Sequence, residues 1–169
     1  MRLIILGAGG HGKVVEDLAL QSSQYDSVYF LDDHSTDENV LGKCNEYEKY
    51  NDGHTEMYPA FGNNELRLEW EHKLEEAHIP LALIIHPTAY ISPKAHISRG
   101  CVIMPYAIVN TNTTIYKACI INCGAIVDHD CIVNEGCHIG PGGIVKAINK
   151  LPECTKVDSG EVVILKQYQ

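Results

Sequence analysis

From Ile85 onward one rule governs the chain: an aliphatic residue recurs at every sixth position. The series is Ile85, Ile91, Ile97, Ile103, Val109, Ile115, Ile121, Val127, Val133, Ile139 and Val145. Four positions after the first ten of these sits something small: Ala89, Ala95, Cys101, Ala107, Thr113, Cys119, Ala125, Cys131, Cys137 and Gly143. An unbroken hexad of this kind predicts a parallel β-helix, in which each unit adds a short strand and a corner. The aliphatic residues stack into the interior, and the corner tolerates only small side chains.

The repeat also disposes of an apparent ligand cluster. The segment "GAIVDHDCIVNEGCHIGPGG" (124–143) is dense in histidine, cysteine and acid. Cys101, Cys119, Cys131 and Cys137 all fall on the small-residue position, so they read as corner fillers. Zinc would want paired cysteines at CxxC-like spacing, and the chain has none. Cys123 lies off that register.

The whole chain sets looser limits. Its 169 residues and 18.7 kDa suit one ordinary domain or two small ones. A net charge of −9 leaves no basic stripe for a general nucleic-acid surface. No apolar run approaches the ~20 residues that cross a bilayer. The first strand opens at Arg2-Leu3-Ile4 without a signal-peptide pattern, so a reduced, cytoplasmic protein is expected.

Up to about residue 84 the pattern is mixed. "RLIILGAGGHGKVVEDLALQ" predicts a buried strand, a Gly-rich turn and a helix with Val14, Val15 and Leu18 on one face. "SVYFLDD" is a second strand, the polar "STDENVLGKCNEYEKYNDGH" is loop with one short strand, and "MYPAFGNN" holds a third strand and its turn. "ELRLEWEHKLEEAH" is an amphipathic helix. Alternating strands and helices imply a parallel sheet. Gly7, Gly9 and Gly12 form G-x-G-x-x-G between strand and helix, with Asp32 about 20 positions further on. Alone, that pattern reads as a dinucleotide site. Only about 84 residues precede the repeat, however, too few for both mononucleotide halves. The same loop can cradle a pyrophosphate on a helix N-terminus.

The charged triplet Asp128-His129-Asp130 is not required by the repeat. It reads either as a solvated turn or as a histidine general base oriented by a neighbouring carboxylate, which raises imidazole basicity and fixes the tautomer. A metal between subunits, as in β-helix carbonic anhydrases, would need three converging histidines. The spacing of His86, His96, His129 and His138 does not match that pattern.

The stretch "HPTAYISPKAHISRGCVIMPYAIVNTNTTIYKACIINCGAIVDHDCIVNEGCHIGPGG" closely resembles the bacterial sugar acyltransferases of the NeuD/PglD type. That hexapeptide-repeat family includes sialic-acid O-acetyltransferases and nucleotide-4-amino-sugar N-acetyltransferases. "GAGGHGKVVED", "FLDD" and "FGNNELR" are similar to it too, in the same order, so the resemblance covers roughly residues 1–145. It implies an α/β plus β chain: a small Rossmann-like domain (1–84), a left-handed parallel β-helix of about three coils (85–150) and a tail (151–169). It also implies a homotrimer with active sites between subunits, acetyl-CoA as co-substrate, a UDP-amino sugar or similar acceptor, and no metal. By the same resemblance His129 is the base on the acceptor and Asp130 orients it. His138 lies near the acetyl thioester, and backbone amides around Gly142 and Gly143 contact its carbonyl. Gly7, Gly9, Gly10, His11, Gly12, Asp32, Asp33, Asn63, Asn64 and Arg67 lie near the nucleotide, with Arg67 a phosphate contact.

The chain departs from the family near its end. The hexad fades after Val145, and "KAINKLPECTKVDSGEVVILKQYQ" reads as a tail joined early, where further coils would wall the coenzyme A arm. Lys146, Lys150, Lys156 and Lys166 are the cations there that could meet its phosphates. Two rival readings follow: a nucleotide-sugar-binding or regulatory protein that has lost catalysis, and a nicotinamide-binding oxidoreductase.

Overall fold

Four consecutive aliphatic residues, Leu3 to Leu6, are completely buried and place the first strand at the centre of a sheet. The computed structural model describes residues 1–164 and divides into two units, Met1–Ile84 and Ile85–Gln169. In the first unit β1 (Arg2–Leu6), β2 (Ser27–Leu31), β3 (Val40–Gly42) and β4 (Thr55–Pro59) form one sheet in the order β3-β2-β1-β4. All of its pairings are parallel. Helix α1 (Gly10–Ser22) links β1 to β2, and α2 (Asn64–Glu76) follows β4. This is the topology of one half of a doubly wound sheet, with the reversal of strand order beside β1.

Helix α1 buries Gly12, Val15, Leu18 and Ala19, whereas Val14 is 44% exposed. The sequence expectation had Val14 on the inner face. A step of about 100° per residue puts Val14 and Val15 on different faces, and the tight approach at Gly12 selects the face of Val15. Asn63 caps α2 by accepting a hydrogen bond from the Leu66 amide at 2.7 Å.

The second unit is a stack of two-residue strands six positions apart, β5 (Ile84–Ile85) to β18 (Val162–Val163). Every third strand pairs in parallel, giving sheets of five, five and four strands, in keeping with a left-handed β-helix. One coil is therefore 18 residues, as in the ladder Ile120, His138, Lys156. Within each strand the repeat aliphatic points inward and the residue before it outward. Ile103, Val109, Ile115, Ile121, Val127, Val133, Ile139 and Val145 are fully buried.

The ladder does not stop at Val145. Strands at Lys150–Leu151, Lys156–Val157 and Val162–Val163 pair with the coil below, where a tail was expected. Leu151, Val157 and Val163 keep the six-residue spacing, but the corner position is taken by Asn149, Thr155 and Glu161, of which the threonine alone has a precedent, at Thr113. These side chains hydrogen-bond their own turns: Asn149 Nδ2 to Lys146 O at 2.7 Å, Thr155 Oγ1 to Pro152 O at 2.7 Å, and the Asp158 amide to Glu161 Oε2 at 2.8 Å. Polar substitution at the corner hid the repeat without ending it.

The corners impose a second rule that hydrophobicity does not reveal. From Gly100 onward the residue before each corner position is left-handed: Gly100, Tyr106, Asn112, Ala118, Gly124, Asp130, Gly136, Gly142, Ile148, Cys154 and Gly160. Several small residues, such as Ala107, Ala125 and Gly143, donate their amide three residues back. A positive φ at the third position of such a turn is the type II geometry. The corner cysteines are buried and donate Sγ to carbonyls fifteen residues on: Cys101 to Tyr116, Cys119 to Asn134, Cys131 to Lys146 and Cys137 to Pro152.

Candidate active site

The triplet Asp128-His129-Asp130 forms the corner that follows the strand Ile126–Val127. Asp130 occupies the left-handed position with φ 56°, which aspartate tolerates better than most residues. That backbone turns its carboxylate onto the neighbouring ring: His129 Nδ1 lies 2.7 Å from Asp130 Oδ2. Both side chains are 47% exposed, so the pair faces solvent. The hydrogen bond to Asp130 raises the imidazole pKa above its ordinary value, against an opposing desolvation, and Asp128 adds to the rise. The bonds from His129 and then Asn112 hold the Asp130 carboxyl below its usual range.

The coil beneath completes the arrangement. Asn112 Nδ2 donates to Asp130 Oδ1 at 3.0 Å, and Asn110 Nδ2 donates to Asp128 Oδ1 at 3.1 Å. Asp128 Oδ1 also accepts the His129 amide at 2.8 Å. From above, the Ile148 amide donates to the His129 carbonyl at 3.0 Å. Neither asparagine was singled out in the sequence. The available signal was an N-x-N placed one coil, 18 residues, before D-x-D.

His138 stands on the outward position of β14 (His138–Ile139), half-buried, with Asn122 Nδ2 3.1 Å from its Nε2. An amide nitrogen can only donate, so Nε2 accepts and the ring proton of a neutral His138 sits on Nδ1. Asn122 was likewise missed. Gly142 and Gly143 were expected to offer free amides, but both are engaged: Gly142 donates to Cys123 O and Gly143 to Gly140 O, each at 2.9 Å. Closing the corner consumes these donors. What Gly142 does offer is bare surface, since a side chain there would meet nothing within 4 Å.

In the first unit, the loop after β1 and the loop after β4 lie side by side at the switch point. A Cβ on Gly7 would come 3.5 Å from Ala60 O and the Phe61 ring. One on Gly12 would sit 2.0 Å from Gly7 O, so glycine is obligatory there. Gly9 and Gly10 face open space, and Gly9 begins α1 without a side-chain cap. His11 Nε2 lies 3.4 Å from the Tyr58 hydroxyl.

The polar residues expected near a nucleotide mostly hold loops instead. Asp32 Oδ2 accepts the Ala8 amide at 2.8 Å, while Oδ1 accepts His34 and Ser35 at 2.8 and 2.7 Å. Partial burial pushes its carboxyl up, but these backbone bonds outweigh that and leave it below its ordinary value. Asp33 Oδ1 accepts the Cys44 amide at 3.0 Å. Arg67, expected as an accessible phosphate contact, is fully buried; it donates to Phe61 O at 2.9 Å and Asn64 Oδ1 at 2.8 Å. Its guanidinium satisfies a carbonyl and an amide oxygen at the start of α2, which leaves Gly9, Gly10, Asp33 and Asn63 exposed and His11 half-buried.

Among the described residues, no group of three or more His, Cys, Asp or Glu side chains could hold a metal ion. Nor is any described helix long and apolar enough to cross a membrane. Lys150 and Lys156 border a cavity of about 770 Å3 at the last coils, together with Leu151, Val157 and Val163. Lys166 lies outside the described residues.

The profile of the PglD N-terminal domain matches residues 2–74. The acetyltransferase domain of PglB from Neisseria gonorrhoeae FA1090, solved with acetyl coenzyme A, is 32% identical, with a TM-score of 0.91 over 95% of this chain and 80% of that one. The chain belongs to the PglD-type sugar acyltransferase family. A histidine-to-asparagine mutant of perosamine N-acetyltransferase from Caulobacter crescentus, solved with CoA and GDP-perosamine, is a further similar structure. It is 26% identical, with a TM-score of 0.89 over 97% of this chain and 89% of that one. WeeI from Acinetobacter baumannii AYE, 17% identical with a TM-score of 0.75 over 97% of both chains, shares the fold. In this PglD-type chain the hexad strands and the left-handed corners thus carry the His129–Asp130 pair.

Proposed function

We propose that the protein is an acetyl-CoA-dependent acetyltransferase acting on the amine or hydroxyl of a nucleotide-linked sugar, a UDP-4-amino sugar being the first choice, in surface-glycan synthesis. The observation that carries this reading is the exposed His129–Asp130 pair, bonded at 2.7 Å on a β-helix whose 32%-identical relative was solved with acetyl coenzyme A. Asp130 against Nδ1 keeps the proton of a neutral imidazole there and leaves the Nε2 lone pair free as base.

The acceptor nitrogen attacks the thioester carbonyl carbon, and His129 Nε2 takes the proton that the nitrogen sheds as the new N–C bond forms. Collapse breaks the C–S bond, the electron pair leaves on sulfur, and the imidazolium returns a proton to it. Amide and free thiol are the products, with no acyl-enzyme. His138, with its proton on Nδ1, serves as the donor to the developing oxyanion. Gly142 supplies smooth surface for the thioester, and Lys146, Lys150 and Lys156 are the cations near the last coils for the coenzyme phosphates.

The loop Gly7 to Gly12, with His11, takes the pyrophosphate at the uncapped start of α1. Asp32, Asp33, Asn63, Asn64 and Arg67 shape that cradle. Assembly is as a homotrimer: the outward residues of one sheet, Tyr90, Ile108, Ile126, Ile144 and Val162, make an apolar column that association would cover. The reaction so proposed is assigned to the cytoplasm.

Titration calorimetry with acetyl-CoA and with a UDP-4-amino sugar tests the reading, followed by turnover of His129→Ala. Binding of both ligands, with turnover down by about 10²–10⁴ and binding kept in the variant, is the expected result. Nucleotide-sugar binding with no coenzyme A affinity would overturn it in favour of a binding role.

A further inference from the structure

The two Asn-to-Asp bonds that reach the triplet from the coil below are alike in geometry but differ in what they control. Asn110 bonds Asp128, whose oxygen also receives the His129 backbone amide. Asn112 bonds Asp130, whose other oxygen receives the His129 ring. A carboxylate tethered at one oxygen cannot swing about its Cβ–Cγ bond without breaking that tether. The second oxygen is then held where Nδ1 needs it. Asp130 is nearly half exposed, so water competes for both oxygens, and the bonds to Asn112 and to the His129 ring are what fix its rotation.

We propose that Asn112 is a positioning residue for the base: it locks the Asp130 carboxylate across one coil and so fixes the tautomer and ring orientation of His129. The inference rests on the reading of His129 as base. Asn112 also occupies a left-handed corner with φ 57°, as Asp130 does with φ 56° one coil above. The same constraint that admits asparagine at that corner thus supplies the amide donor, and the 18-residue coil delivers it to the acid.

The design of the test follows from the backbone. Asn112→Gly keeps the positive φ and removes the amide, and Asn112→Asp keeps shape and φ but replaces the donor with an acceptor facing a carboxylate. Asn110→Ala is the matched control, since it deletes an equivalent interstrand bond that does not lead to the ring. Two readouts are needed: steady-state kinetics with acetyl-CoA and a UDP-4-amino sugar, and the ring 15N shifts of His129 in histidine-labelled protein. The expected result is a roughly tenfold fall in kcat for Asn112→Gly with both KM values within about twofold, and a larger fall for Asn112→Asp. The His129 15N shifts move from the Nδ1-protonated pattern toward a tautomer mixture in both, while Asn110→Ala leaves the Nδ1-protonated pattern in place.

Unchanged shifts and unchanged kcat in Asn112→Gly, with His129→Ala inactive, would overturn the positioning role and leave the base reading intact. Equal movement of the His129 15N shifts in Asn110→Ala and Asn112→Gly would also overturn it, because it would mark a general effect on the corner. Shifted His129 signals in Asn112→Gly with full activity in His129→Ala would uphold the control of the ring and remove His129 as the base.

Discussion

Ile148 is the residue that the fold treats worst. It is β-branched, sits at φ 64° in the corner column above Asn112 and Asp130, and is 62% exposed. A left-handed backbone costs an ordinary L-residue roughly 1–2 kcal/mol, and asparagine much less. Against that gain stands the lost apolar contact. Full burial of such a side chain is worth ~1.5–3 kcal/mol, so the covered third contributes roughly 0.7 kcal/mol. Ile148→Asn therefore stabilises by about 0.5–1 kcal/mol, and at ~2–4 °C per kcal/mol for a chain of this size the melting midpoint rises by roughly 1–4 °C. Ile148→Gly gains the same relief but adds ~0.5–1 kcal/mol of backbone entropy to the unfolded chain, so it is near neutral. The assay is thermal and urea unfolding by far-ultraviolet circular dichroism, which sees the β-helix. The single tryptophan, Trp70, lies in α2 of the first unit and reports on that unit instead. A fall of 2 °C or more in Ile148→Asn would refute the argument, since the side chain would then be contributing more than its exposed position allows.

The other predictions follow from charge, thiols and backbone. Because Asp130 raises the His129 pKa, the rise of kcat/KM with pH has its inflection above the ordinary imidazole value of about 6.5; Asp130→Asn moves it down, and a pH profile of both proteins checks the sign. In the same sense, the stability that the His129–Asp130 bond contributes is present below the unfolded histidine pKa and is lost as pH rises through the folded one. Cys123 is exposed and reacts with a disulfide reagent in the native protein, while buried Cys101, Cys119, Cys131 and Cys137 react only on unfolding; mass spectrometry after a short exposure reads this directly. Burial pushes the Cys131 thiol up, and the Cys119 hydrogen bond followed by burial does so for Cys137. Gly12→Ala puts a methyl 2.0 Å from Gly7 O, so α1 must shift, at about 1–3 kcal/mol or more, seen as an earlier Trp70 transition.

The hexad made the β-helix legible because every inward position is aliphatic and the period is fixed by the chain, not by context. It misled at the end, where Asn149, Thr155 and Glu161 occupy corners through hydrogen bonds that no hydrophobic pattern registers. In the first unit the glycines were legible for the same geometric reason: Gly12 has to be glycine whatever the ligand. The charged residues were not. An aspartate after a strand can bind a ribose or cap a loop, and at Asp32 three backbone amides had already claimed both oxygens. An arginine near a Gly-rich loop can meet phosphate or hold a turn, and Arg67 is buried against Phe61 O and Asn64. Burial decides between such pairs of roles, and burial depends on what packs around each side chain.

The site on the β-helix fails to be legible in a different way. A motif read along the chain contains His129 and its acid but lacks half of the hydrogen bonds that orient them, because those come from a residue one coil away. On this fold, lateral neighbours are 18 positions apart, so a functional group is a column as much as a string. The corner column Asn112, Asp130, Ile148 is chosen first by φ: only a few residue types sit there cheaply, and two of the three present are the polar ones. A coil-to-coil amide–carboxylate bond is then a natural product of the backbone constraint, needing no further selection for its geometry. Replacing the corner residues by glycine throughout would relieve the backbone equally well and keep the β-helix, but it would remove both the acid and its tether. The histidine would remain on the corner with a free ring, and with no carboxylate to decide which nitrogen carries the proton.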